Sequence, residues 1–208
     1  VAPWAIRNYE VLGSPIWTRS NFWLEIHDSN NDWMTADEQT DYSIPQFALV
    51  HPYAGASERA EVKRLGEVAY MRAKRKQALT WIATHKRRFL ELTAERFRLF
   101  WIPRMKRPIQ TALEAALTIL GLSGLVLLFR SRAAFAWIFS ALVVLFPGVY
   151  YFIMVTPRFR VPLEPFLFLL AGYFCCSLLR SFDGHRRNKR EDLLEFEEYV
   201  EKRLQEVR

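Results

Sequence analysis

Thr156-Pro157-Arg158-Phe159-Arg160-Val161-Pro162-Leu163-Glu164-Pro165 lies between two long apolar runs. Its prolines interrupt regular structure, and its arginines and glutamate are costly inside hydrocarbon. The stretch is therefore expected to form a corner at a water–lipid boundary, where two membrane-spanning helices meet. Working outward, apolar segments at about 109–129, 133–156 and 161–182 each approach the ~20 residues that cross a bilayer core. Pro108 opens the first at a position where its missing N–H costs nothing. Pro147-Gly148 predicts a kink in the second.

Charge divides the chain as sharply as hydropathy does. The 208 residues carry a net charge of +7, yet residues 1–57 hold 2 arginines against 7 acids. Residues 58–107 hold 15 Lys/Arg against 5 acids and run directly into the first apolar segment. Such a stretch suits either a solvated helix face or a surface beside anionic lipid headgroups. No recognition motif accompanies the charge, so nucleic acid is not an expected partner. Positive charge is slightly denser after the third segment and at Arg130 and Arg132 than at the opposite ends. The positive-inside rule thus places the C-terminus in the cytoplasm and residues 1–107 outside.

The expected fold is mainly α: an integral membrane protein with three C-terminal spans behind an extracytoplasmic part. Residues 1–57 read as an irregular loop with short strands such as Phe22–Ile26. Residues 58–107 read as a basic helical segment that breaks near Gly66 or around Thr84-His85. Phe100 and Trp101 suit an interfacial belt and a core contact equally. In residues 183–208, Leu193, Phe196, Val200, Leu204 and Val207 form the stripe of a cytoplasmic amphipathic helix. Val1-Ala-Pro-Trp4 has no signal-peptide character, and the chain is expected to start inside a longer protein.

Metal, redox and hydrolase chemistry find little footing. Cys175 and Cys176 are adjacent and read as small packing residues. Asp28-x-Asn30-x-Asp32 opens like a calcium loop, but Trp33 stands where glycine is needed and Gln39 where a bidentate glutamate is needed. The four histidines lack ligand spacing, so no metal and no cofactor is expected. Arg158 and Arg160 present guanidinium forks that suit a phosphate as well as ordinary interfacial anchoring. Glu164 falls in the first turn of the third segment, where the helix dipole favours a carboxylate, as a structural partner for either arginine. Glu114 lies deep enough in the first segment to face a bundle interior or polar cavity.

Pro3-Trp-Ala-Ile-Arg-Asn-Tyr9, Asn21-Phe-Trp-Leu-Glu-Ile26 with Asn30-Asn31, His51-Pro52 and Glu58 resemble the outer loop of bacterial GT-C glycosyltransferases. The similarity is to the dolichyl-phosphate-mannose–protein mannosyltransferase and aminoarabinose transferase type. Leu65-Gly-Glu-Val-Ala-Tyr70, Ala78, Ile82, His85 and Phe100-Trp101 resemble the helical part of that loop. Arg158-Phe-Arg-Val-Pro-Leu-Glu-Pro165 resembles the Arg-Tyr-Arg-Leu-Pro-Leu-x-Pro stretch ahead of a late span. Where the family has His-Pro, this chain has His85-Lys86.

The resemblance implies transfer of a sugar from a polyprenyl-phosphate carrier to an acceptor outside the bacterial cytoplasmic membrane. It implies that this is the C-terminal part of such an enzyme and that the missing N-terminal spans are partners. The family's catalytic acid has no counterpart here, so no catalytic residue is assigned to this chain. Arg158 and Arg160, with Arg7 on the wall of the sugar pocket, become candidates for holding the carrier phosphate. The competing readings are a non-catalytic scaffold or accessory subunit of envelope assembly, and a soluble protein resting on a lipid surface.

Overall fold

The computed structural model describes residues 2–17, 20–132 and 134–183. The amphipathic helix expected at 183–208 lies outside them, apart from its first residue. The chain is mainly helical, and among the described residues no strand forms. Among the described residues nine α-helices follow in order: α1 Ala2–Leu12, α2 Phe22–Ser29, α3 Glu38–Asp41, α4 Ala56–Leu65, α5 Glu67–Thr84, α6 Lys86–Trp101, α7 Pro108–Arg130, α8 Ala136–Leu145 and α9 Glu164–Asp183. They belong to two compact units, one of Val1–Ala115 with Ala141–Leu163, the other of 116–140 with the chain from Glu164 onward.

In the first unit the expected strand at Phe22–Ile26 is instead helix α2. Its aromatic and branched residues satisfy strand propensity, but Trp23 and Ile26 lie three apart and pack with Ala78, Ile82 and Ile153. Tertiary burial on α5 overrides the local preference. The basic segment breaks at both suspected places. Gly66 sits at φ 77°, ψ 159°, a conformation essentially open to glycine alone. His85 breaks the helix without any proline, at φ −119°, ψ 43°, its ring stacked 4.9 Å from that of Trp81.

The segment expected as the second span differs most from the sequence reading. The α-helix ends at Leu145, and Pro147, which has no N–H to give, starts a tighter turn over Phe146–Tyr151. Residues 152–156 then run without a helix through the first unit, and Ile153, Met154, Val155 and Thr156 are all buried. Their backbone is satisfied by polar neighbours from early in the chain. Met154 N–H donates to Ser29 Oγ at 2.8 Å, Val155 N–H to the Ala36 carbonyl at 2.9 Å, and Glu38 N–H to the Val155 carbonyl. The expected span is therefore a shorter apolar helix, and its last four residues, 153–156, are buried in the first unit. Phe100 and Trp101 are 1% and 8% exposed, which makes them core residues rather than a belt.

The second unit is built on a close approach. A Cβ at Gly124 would stand 2.0 Å from the Leu170 carbonyl oxygen, so only glycine lets α7 and α9 meet there. Leu128, Ala136 and Leu170 bury one another beside this contact. Two helices, α7 and α9, are long and apolar enough to cross a membrane. Only 22% and 17% of their most apolar windows are covered by protein. Cys175 and Cys176 are exposed, so they do not fill the packing role read from the sequence.

Candidate functional site

The corner at Thr156–Pro165 is a short helical turn, Pro157–Phe159, capped by backbone bonds from Arg160 to Pro157 and from Leu163 to Arg160. This turn sends its two arginines to different environments. Arg160 is 1% exposed. Its Nη1 donates to the Trp101 carbonyl at 2.7 Å, and its Nη2 donates to the Glu114 carbonyl at 3.1 Å and lies 3.3 Å from Glu114 Oε2. Its guanidinium joins the end of α6 to the start of α7 and, unlike that of Arg158, is buried among these groups. Glu114, suspected from its depth in the apolar segment, is the carboxylate beside it.

Arg158 points outward. Its side chain is 68% exposed and donates to Glu38 Oε1 at 2.7 Å, with the guanidinium 5.6 Å from the Phe159 ring centre. Asp37 caps α3, accepting from Gln39 N–H, and so places Glu38 opposite the arginine. Arg158 forms part of the wall of two cavities. One, of about 560 Å³, is lined by Tyr42, Tyr150 and Phe159 with Asn21, Glu25 and Glu38. Tyr150 and Phe159 stack at 4.5 Å. The other, of about 320 Å³, is lined by Arg104, Lys106, Gln39, Gln110 and Thr156. An aromatic, carboxylate-bearing recess thus adjoins a cationic one, and a single guanidinium serves both. Lys106 lies two residues before Pro108, where α7 begins.

Neither a family model nor a curated protein nor a solved structure matches this chain. The site must therefore be judged on its own geometry.

Behind the recess lies a buried polar frame. Arg96, fully buried, donates from Nη1 to Asn30 Oδ1 at 2.9 Å and to the Phe152 carbonyl at 3.3 Å, and from Nη2 to the Ser29 carbonyl. Burial holds this guanidinium down to about 10, below its usual range. Asp28, also fully buried, has His27 Nδ1 3.1 Å from Oδ1 and His51 Nε2 3.7 Å from Oδ2. Burial pushes its carboxyl up to about 9, against the opposing charge of Lys74. Burial, reinforced by Lys74, pushes His27 down to about 4, and burial lowers His51. Tyr53 N–H donates to His51 Nδ1, which leaves the imidazole proton on Nε2, facing Asp28. The three groups form a neutral chain at ordinary pH, suited to ordering the loop after α2 rather than to acid–base turnover.

Arg7 lies on a separate cavity of about 380 Å³, its guanidinium 5.1 Å over Trp4 and its Nη1 bonded to Asn8. That cavity meets the Arg158 recess only at Asn21, which lines both. Glu164, expected as a structural partner of the arginines, opens α9. No cluster that could hold a metal occurs among the described residues. Arg104 and Lys106 are two of the many charges of the basic 58–107 stretch, and neither Glu38 nor Tyr42 falls in a motif. Their convergence needs the α3 turn folded against the corner, for which no local spacing is a signal.

Proposed function

We infer that the chain forms the late outer portion and final spans of a membrane glycosyltransferase that uses a polyprenyl-phosphate-linked sugar. The observation that carries this reading is Arg158 on the shared wall of a cationic cavity and an aromatic, carboxylate-lined one. A carrier phosphate in the first would meet Arg158, Arg104 and Lys106 beside the start of α7. Guanidinium forks and an ammonium there stabilise the charge that develops on a leaving phosphate, without a metal. The sugar then projects toward Tyr42, Tyr150 and Phe159, whose ring faces accept a pyranose, while Glu25, Glu38 and Asn21 accept or donate hydroxyl bonds. Breaking the Arg158–Glu38 pair frees both groups, one for phosphate and one for a hydroxyl.

On this reading the protein is a multi-pass protein of a bacterial cytoplasmic membrane. α7, the α8 segment and α9 are three of its spans, with residues 1–107 outside. The acid that drives the reaction lies on a part of the enzyme that this chain does not contain. The test is binding of a short-chain polyprenyl phosphate to the full chain in lipid nanodiscs. Saturable binding should weaken about tenfold in Arg158→Gln, the loss of one charge-assisted fork. Equal binding of the corresponding uncharged prenol, or no change in Arg158→Gln, overturns the assignment.

A further inference from the structure

A further cavity of the first unit, of about 310 Å³, takes no part in the arrangement just described. It opens between the end of α2 and the faces of α4 and α5. Two indoles, Trp33 and Trp81, stand on its wall, and Asp32, Glu58, Lys74 and Gln77 are among its polar lining. Trp33 is 48% exposed, an apolar surface left in water beside a polar floor. The indole of Trp81 is fixed on both sides: Nε1 donates to Asp32 Oδ1 at 2.7 Å, and the His85 ring stacks on it.

The floor is an ion pair that stability alone does not explain. Lys74 Nζ lies 2.8 Å from Glu58 Oε2, with side chains only 6% and 16% exposed. Tyr70 Oη donates to the same oxygen at 2.5 Å. Desolvating such a pair costs as much as the attraction returns, and apolar side chains of equal volume would serve a core as well. Both partners take Oε2, so Oε1 can accept a further bond. The amide of the exposed Gln77 adds a donor and an acceptor on the rim.

The geometry points to a saccharide-binding subsite here, in which a neutral pyranose lies against Trp33 and Trp81 and bonds through its hydroxyls to Glu58, Lys74 and Gln77. The C–H face of a pyranose carries partial positive charge and meets the negative face of an indole. A ring of hydroxyls needs donors and acceptors alternating around an apolar wall, which Lys74, Glu58 and Gln77 supply. An anionic ligand would be repelled by Glu58 and Asp32, and a cationic one by Lys74. The inference goes beyond the donor site and stands without it, because it needs only this cavity.

The experiment is saturation-transfer NMR on the full chain in detergent micelles. The probes are methyl glycosides of glucose, galactose, mannose and N-acetylglucosamine, at millimolar concentration. At least one glycoside should show transfer to its ring protons, with affinity reduced about tenfold in Trp33→Ala. Gln77→Ala should weaken it as well, and an exposed helical glutamine tolerates alanine without unfolding. Arg158→Gln should leave the signal unchanged. No transfer with any glycoside, or transfer that persists in both Trp33→Ala and Gln77→Ala, overturns the subsite. Loss of signal in Arg158→Gln alone would place the sugar in the donor recess, sinking this inference while sparing the donor reading.

Discussion

Replacing Arg96 with methionine tests how the first unit holds its two ends together. The guanidinium is fully buried and joins the Ser29 carbonyl, Asn30 Oδ1 and the Phe152 carbonyl, residues far apart in sequence. Methionine fills much of the volume but donates nothing. The Phe152 carbonyl would keep its bond from Asn30 Nδ2 at 2.9 Å, so two acceptors would be orphaned rather than three. Each orphan costs about 1–3 kcal/mol, giving ~2–6 kcal/mol. Against this stands relief from burying a charge whose Nε has no partner, a gain on the order of a few kcal/mol. The expected net loss is about 1–3 kcal/mol, or roughly 2–12 °C in Tm for a chain of this size. Thermal and urea unfolding in detergent, followed by tryptophan fluorescence, measure it. Arg96→Lys should not restore stability, because one ammonium cannot span acceptors arranged for a planar fork. An Arg96→Met protein as stable as the parent would refute the reasoning: desolvation would then outweigh the bonds.

Gly124→Ala should lower stability by about 1–3 kcal/mol, since its Cβ would start 2.0 Å from the Leu170 carbonyl oxygen. An unshifted thermal transition would mean that α7 and α9 part freely. Asp28→Asn should flatten the pH dependence of stability. The folded carboxyl titrates at about 9 against 3.8 for the free group, so its contribution is complete below 3.8 and is lost as pH rises toward 9. His27 acts in the opposite sense: its lowered value makes its contribution complete above 6.5 and lost as pH falls toward about 4. The difference between parent and Asp28→Asn unfolding curves should therefore grow on the alkaline side, and a difference that grows only under acid would contradict the burial of Asp28.

How much of the site was legible can be judged residue by residue. The corner itself was, because three prolines and two arginines between apolar runs admit few other readings. Which arginine faces outward was not, since Arg158 and Arg160 are two apart on the same turn. Their separation depends on the Trp101 carbonyl and Glu114 being in place to receive one of them. Asp28-Ser-Asn-Asn-Asp32 was visible as a polar run and was tested only against calcium. Its role, accepting Arg96 and satisfying residues 152–154, lies in partners more than 60 residues away along the chain.

Sequence alone determined what solvent each part can tolerate. Long apolar periodic runs specify α7 and α9 whatever surrounds them, because a helix satisfies its own backbone and its side chains need only an apolar medium. The glycine at 66 likewise fixes a helix break locally. Tertiary structure decided everything that depends on distant partners: that Phe22–Ser29 coils rather than extends, and that Ile153 and Met154 leave the apolar segment for the hydrophobic clusters of the first unit. It also decided that Arg160 supports while Arg158 is exposed. The physical reason is the same in each case. An extended backbone, a buried carboxyl or a guanidinium is stable only where donors and acceptors already wait for it, and folding supplies them from elsewhere in the chain.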